Sequence, residues 1–426
     1  MLFGLSIAFL LVATALGVAY GYKVNDNVLY HTINTLKFDY GMDSWKPMKK
    51  ALEYWVENGH ASNIYTELLI KRNLKFQYPP TVLLIPETLA ALRINDELFY
   101  GLTTVLSLLG TILSVTAIAL RSLKDCGGTS LSRREKALFV VLIGLLTLTF
   151  YPVIKAAALG QIQVWLNALF AVALLCYAAG RRVLAGAILG IMASVKPQYG
   201  LFVLWGIIRA DKRFVLAMLS TTALGLLIGV VRFGLPMYLD YLRGLQFLSL
   251  HGEAFYANQS FNGLANRFFS IRYPHLYNNI KWRWYYFPPY NPWVYYFTLV
   301  TSVIILTICL ARGRNRAREG QSADFCLMAL GVTMASPIAW EHHYGVLLPI
   351  FAFLWPLFWL DERFSGNTLW RALFVAGYLL SSNFIPALNR LAPTLLNVLQ
   401  SYLFFAAVIV FLLLWRVRQA PRPESG

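Results

Sequence analysis

Apolar residues fall along this chain in long runs, broken by short basic stretches and by two long polar ones. A run of roughly 18 or more apolar residues is long enough to cross a bilayer as a helix. The pattern predicts spans at about 2–22, 98–120, 137–152, 160–178, 183–194, 197–209 and 214–233. Five more follow at about 292–311, 324–338, 343–360, 369–386 and 397–415. The pair 183–194 and 197–209 is short and split by Lys196-Pro197, which predicts a broken helix lining a cavity inside the protein. The polar stretches are 23–78 and 234–291. In the first, SWKPMKKALEYWVENG sets apolar residues near helical spacing with lysines on the other face, the pattern of a helix lying in the membrane interface. The segment YPPTVLLIPETLAAL, 78–92, is short and punctuated by proline, and predicts a re-entrant or tilted half-helix. The expectation is an all-α polytopic membrane protein: one membrane domain over 1–426, about twelve transmembrane helices, and two external segments carrying interfacial helices.

Charge gives that array an orientation. Basic residues gather at 121–136 (RSLKDCGGTSLSRREK), Arg181-Arg182, 209–213 (RADKR), 312–318 (RGRNRAR) and the tail RVRQAPRPESG. Short basic loops stay on the cytoplasmic side, so both termini are expected inside. Both polar stretches and the turn SPIAWEHHY, 336–344, then face the non-cytoplasmic side. The same loops account for the net charge of +17, and no nucleic-acid partner is expected. Composition agrees: 58% of residues are hydrophobic and 13% charged, where a soluble protein has about 25% charged. Cys126, Cys176, Cys309 and Cys326 show no metal spacing and no disulfide framework. No basic region precedes the apolar residues 1–20, so an uncleaved first helix is expected.

Against this background a few polar residues carry chemistry. An ionisable group within a bilayer costs about 2.5–3.5 kcal/mol on insertion scales and is a functional candidate by default. Asp39 and Asp43, in KFDYGMDSW just after the first span, are candidate general bases for a hydroxyl. Lys196 at the helix break is a cation suited to a phosphate. In NQSFNGLANRFF, Asn258, Gln259, Ser260 and Asn262 offer groups for hydroxyls, and Arg267 suits a phosphate. Adjacent histidines on a helix point about 100° apart, so His342 and His343 do not readily chelate one ion. H-E-x-x-H spacing is absent. No metal and no cofactor are expected; one histidine packs and the other donates to a phosphate oxygen. The aromatic run KWRWYYFPPYNPW reads as an interfacial belt.

In order along the chain stand Asp43, Tyr65, Tyr78-Pro79-Pro80, Gly160-Gln161, Gly190 with Lys196-Pro197, NQSFNGLANRF and SPIAWEHH. With these the chain resembles the integral-membrane GT-C glycosyltransferases, and within them family 87, whose members include polyprenol-phosphate-mannose-dependent mannosyltransferases. It departs from the family's pattern at Lys46-Pro47 and at Gln163. The resemblance implies the GT-C fold and transfer, with inversion, of a hexose such as mannose from a polyprenyl-phosphate-linked donor. The acceptor is a lipid or glycan, and the reaction runs at the non-cytoplasmic face of a membrane, expected to be a bacterial inner or plasma membrane. It implies Asp43 as base, Asp39 as runner-up, and substrate contacts from Tyr78, Gln161, Lys196, the 258–267 segment, Glu341, His342 and His343. A lipid-linked oligosaccharide ligase or polymerase, or a lipid-linked sugar transporter, are the rival readings. Transporters often carry inverted repeats, and none is visible here.

Overall fold

The computed structural model describes residues 8, 11–12, 27–127, 131–269 and 287–420. The architecture is all-helical. Among the described residues there is no strand, and one isolated antiparallel bridge joins Asn258 to Trp340. Among the described residues, five segments are long and apolar enough to cross a membrane: Asp96–Asp125, Lys212–Phe233, Pro292–Leu310, Glu341–Leu360 and Leu395–Gln419. A sixth arises if Arg133–Leu148 and Tyr151–Ala158, bent by 67°, are one span.

The expected count of about twelve is not reached among the described residues. Gln163–Ala178, Arg182–Val195 and Thr368–Ser381 are apolar but have 16 residues or fewer. The helix Leu201–Ile208 has only eight. The expected first span, 2–22, lies outside the described residues apart from 8, 11 and 12. Gln163–Ala178 is largely buried among its neighbours, whereas Leu201–Ile208 and Thr368–Ser381 leave much of their apolar surface outward.

Burial separates centre from edge. The span Glu341–Leu360 is 78% buried, whereas Lys212–Phe233 and Pro292–Leu310 are each 22% buried. The edge helices present Leu216, Leu227, Val231, Val300 and Ile304 outward, an apolar surface suited to lipid. The helix Arg182–Val195 lies against Lys212–Phe233 at small residues. A Cβ on Gly190 would stand 2.7 Å from the Met218 carbonyl oxygen, so glycine there permits close backbone approach.

The first polar stretch folds onto a core of its own. The helix Trp45–Glu57 buries Trp45, Met48, Ala51 and Trp55, at spacings of three and four, and leaves Lys46, Lys50 and Glu53 outward or half-buried. Trp45 stacks on Tyr100 with centroids 4.0 Å apart, and Trp55 packs on Phe233 at 5.1 Å. A π-helical turn, Tyr65–Lys71, follows. The buried Asp240 carboxylate fixes its start, accepting from the Tyr65 and Thr66 backbone N–H groups at 2.7 and 3.1 Å. The 78–92 segment is a 3₁₀ turn, Pro80–Leu83, leading into the short helix Leu84–Ala91. In the second polar stretch, the helix Leu235–His251 gives way at Gly252 to irregular chain and then to the helix Phe261–Phe269. Residues 270–286, with the first six residues of the aromatic run, lie outside the described residues.

Candidate active site

A cavity of about 1030 Å³ opens where the two polar stretches meet the break at Lys196 and the turn before Glu341–Leu360. One wall is the strap 41–44. It lies along the turn 158–162 through Gly41 N–H to Ala158 O (2.8 Å), Asp43 N–H to Leu159 O (3.0 Å) and Ser44 N–H to Gly160 O (3.4 Å). Two glycines make this possible. Gly160 has φ +65°, and a Cβ there would overlap the Gly41 carbonyl; a Cβ on Gly41 would stand 2.7 Å from Leu159 O. The strap presents Asp43 to the cavity.

The Gln161 side-chain amide donates to the Asp43 carboxylate. Gln161 Oε1 accepts from Ser44 Oγ at 2.6 Å, and Ser44 Oγ lies 2.9 Å from the Tyr78 hydroxyl. The Ile162 N–H donates to Ser44 Oγ at 3.0 Å. Gln161, Ser44 and Tyr78 thereby hold the strap from behind. Asp43 is open to the cavity yet enclosed by protein elsewhere. Burial raises its pKa above the ordinary 3.8, while the Gln161 hydrogen bond and the charges of Lys75 and Lys155 pull it back. Burial also raises the Tyr78 phenol. Asp39 sits at the exposed end of the helix Val28–Leu36, outside the cavity lining.

Across the cavity, Lys196 Nζ donates to Gln163 Oε1 at 2.7 Å and lies 2.7 Å from His343 Nε2. Gln163 is fixed in turn by its bond to Asn167 Oδ1 at 2.9 Å. A protonated Lys196 makes His343 Nε2 the acceptor, which puts the proton of a neutral imidazole on Nδ1. His342 and His343 occupy a 3₁₀ turn, Glu341–Val346, with ring centroids 4.8 Å apart, and both line the cavity. Lys46, Lys50, Arg72 and Lys75 add positive charge to the walls. Among the described residues Asp43 is the one carboxylate in the lining. No group of three or more His, Cys, Asp or Glu side chains among the described residues is arranged to hold a metal ion.

Several residues expected to meet substrate stand elsewhere. Asn258, Gln259, Ser260, Asn262 and Arg267 are buried outside the lining. Asn258 accepts from Ala339 N–H at 3.0 Å and donates to Glu253 O at 2.8 Å. Gln259 donates to Tyr256 O and Gln400 O, at 2.6 and 2.8 Å. Ser260 donates to Pro337 O at 3.1 Å. Asn262 accepts from Glu253 N–H at 3.1 Å. Arg267 donates to Phe255 O, Asn258 O and Ser401 Oγ, at 3.0, 2.9 and 2.6 Å. The physical reason is backbone satisfaction: irregular chain buried at 252–260 and 336–340 has no helix to pair its polar groups, so side chains do it. Glu341 also lies behind the wall, accepting from Lys155 Nζ at 2.8 Å and Tyr151 OH at 3.2 Å.

Lys75, Lys155 and Glu253 are not among the residues the sequence pattern singles out for chemistry. Lys155 had a signal, since it interrupts the apolar run at 150–160. Lys75, in KRNLKFQYPP, is indistinguishable in sequence from its solvated neighbours.

A sequence model of glycosyltransferase family 87 matches residues 76–337. The chain belongs to glycosyltransferase family 87. No curated protein matches the chain, and no solved structure does. Membership supports a glycosyltransferase, and the apolar helices support a membrane protein. The match takes in Tyr78, Gln161 and Lys196 but ends short of Asp43 on one side and of His342 and His343 on the other. Both flanks reach this glycosyltransferase's cavity through matched residues, Asp43 through Gln161 and His343 through Lys196.

Proposed function

We propose that this family 87 glycosyltransferase moves a hexose, such as mannose, from a polyprenyl-phosphate-linked donor to a hydroxyl of a lipid or glycan acceptor at the non-cytoplasmic face. The acceptor oxygen attacks the anomeric carbon as the bond to the phosphate oxygen breaks. The electron pair of that bond leaves with the phosphate, and the hydroxyl proton passes to Asp43. Attack opposite the leaving group inverts the anomeric centre. Lys196 and His343 meet the departing phosphate, where negative charge grows and fixed cations act most strongly. A glycosidase commonly uses two carboxylates. A phosphate leaving group needs no protonation by a second acid, so one base suffices.

The observation that carries this reading is, among the described residues, the pairing of one cavity-facing carboxylate with a wall of five basic side chains: Lys46, Lys50, Arg72, Lys75 and Lys196. That balance favours an anionic ligand, and the lone carboxylate suits a base.

The test incubates purified protein with a panel of polyprenyl-phosphate sugars, mannose first, and extracted membrane lipids as acceptors, following release of polyprenyl phosphate. Asp43→Asn is expected to lower turnover by about 10²-fold or more with donor binding retained, and Asp39→Asn to remain near normal. Turnover surviving in Asp43→Asn removes the base from the mechanism.

A further inference from the structure

Lys75 is the basic residue of the cavity wall whose charge acts on Asp43, yet its ammonium is bound elsewhere. Its Nζ forms an ion pair with Glu253, both side chains being nearly closed to solvent. The other Glu253 oxygen accepts from the Trp340 indole N–H. Lys75 Nζ also lies 5.2 Å from the Trp340 ring centre and 5.5 Å from that of Phe287. Glu253 is itself fixed: its N–H donates to Asn262 Oδ1 at 3.1 Å and its carbonyl accepts from Asn258 Nδ2 at 2.8 Å. Asn258 in turn holds the 337–340 segment that carries Trp340. The buried amides of 258–262 thus build a socket for one carboxylate, and that carboxylate grips Lys75.

An ammonium left loose beside Asp43 would close onto it and occupy the base. An ammonium held at a fixed distance would instead favour the carboxylate form and leave its oxygens open. We infer that Glu253 is a positioning residue that holds the Lys75 ammonium at the cavity wall, so that Lys75 supplies positive charge to the Asp43 site without closing onto the carboxylate. The inference rests on the reading of Asp43 as the base. Burial lowers the Lys75 amine to about 7, against the pull of Asp43, so the ammonium is fully charged only on the acid side of that value, the side on which a carboxyl titrates. The other groups acting on Asp43 are Lys155, which pairs with Glu341, and Tyr78 and Gln161 from behind.

The probe is a water-soluble carbodiimide with glycinamide, applied to the full-length protein in detergent from pH 4 to 8. Modification of Asp43 is read by peptide mass spectrometry against exposed Asp39 on the same stretch. The carboxylic acid protonates the carbodiimide, its oxygen adds to the central carbon, and the glycinamide amine then displaces the urea, so modification follows the protonated carboxyl and its midpoint reports Asp43 with no sugar substrate. Lys75→Met is expected to raise the midpoint by about one pH unit, and Lys75→Arg to leave it in place. Glu253→Gln is expected to lower it by a similar amount, because the released ammonium moves onto Asp43. A loss of packing would not move the two variants in opposite directions. An unchanged midpoint in Lys75→Met, or an unchanged or raised one in Glu253→Gln, overturns the proposal. If Glu253→Gln does not fold, Lys75→Met against Lys75→Arg decides: a rise in the first alone supports it, and equal midpoints overturn it. Turnover of Asp43→Asn tests the base separately, so either reading can fail without the other.

Discussion

Gly160→Ala tests whether the strap 41–44 is what places Asp43. Alanine pays twice at this position. Its φ of +65° is left-handed, which costs an L-residue roughly 1–2 kcal/mol. The added Cβ would also stand 2.5 Å from the Gly41 carbonyl carbon and closer still to its oxygen. Backbone lies on both sides, so no side chain can swing away, and relief requires the strap to retreat on the order of 1 Å. The strap's hydrogen bonds to 158–160 measure 2.8, 3.0 and 3.4 Å, and such a retreat stretches all of them beyond useful length. At about 1 kcal/mol each, their loss adds about 3 kcal/mol. The total, about 4–5 kcal/mol, falls on one local contact rather than on the helical core.

The outcome expected is a folded protein with a displaced base. A displacement near 1 Å costs on the order of 10²-fold in turnover. The assay is polyprenyl-phosphate release, run beside thermal unfolding in detergent. Gly59→Ala is the control, because Gly59 has φ +62° but nothing within 4 Å of an added Cβ. It carries the backbone cost without the clash, and its turnover should stay near normal. Turnover of Gly160→Ala within threefold of the unmodified protein, or an equal loss in Gly59→Ala, would refute the reasoning.

The acid limb of the pH–turnover profile should lie above the ordinary carboxylate range. Burial raises Asp43, the base works as the carboxylate, and turnover is lost as pH falls through the raised value; Gln161→Leu, which removes a bond to the charged form, should move the limb further up. Lys196→Gln should weaken donor binding with little change in thermal stability, whereas Arg267→Gln should lower stability by about 1–3 kcal/mol while the folded fraction binds donor normally. With Cys126 replaced by Ser, a membrane-impermeant thiol reagent applied from the non-cytoplasmic side should label Ser62→Cys and leave Arg134→Cys unlabelled; the reverse pattern inverts the topology.

Sequence alone made the helical, membrane-embedded character legible, because a bilayer imposes long apolar runs that few other settings require. It also made the broken helix at Lys196 and the amphipathic helix 45–57 legible, through proline punctuation and spacing. The span count was less legible. Apolar runs report burial, and burial among helices looks the same in composition as burial in lipid; Gln163–Ala178 is apolar because protein surrounds it. The polar motif NQSFNG was visible, but its direction was not. An amide that reads a sugar hydroxyl and one that caps a buried carbonyl are the same residue, and only the placement of 336–340 beside it distinguishes them.

The same ambiguity explains why Glu253 and Lys75 were missed while Glu341 drew attention. Glu341 sits beside two histidines and looks like chemistry, yet its carboxylate turns back to Lys155 and Tyr151. Glu253 stands in an ordinary loop, HGEAFYANQS, and its importance depends on Lys75, 178 residues earlier in the chain. No local pattern encodes such a pair. What a sequence can encode is the requirement behind it: a buried cation must be matched by a buried anion or pay several kcal/mol in desolvation. The Lys75→Met and Glu253→Gln comparison therefore bears on more than one pair. It asks whether the buried ion pairs around this cavity merely tolerate burial or set the proton affinity of Asp43, the carboxylate that faces the cavity.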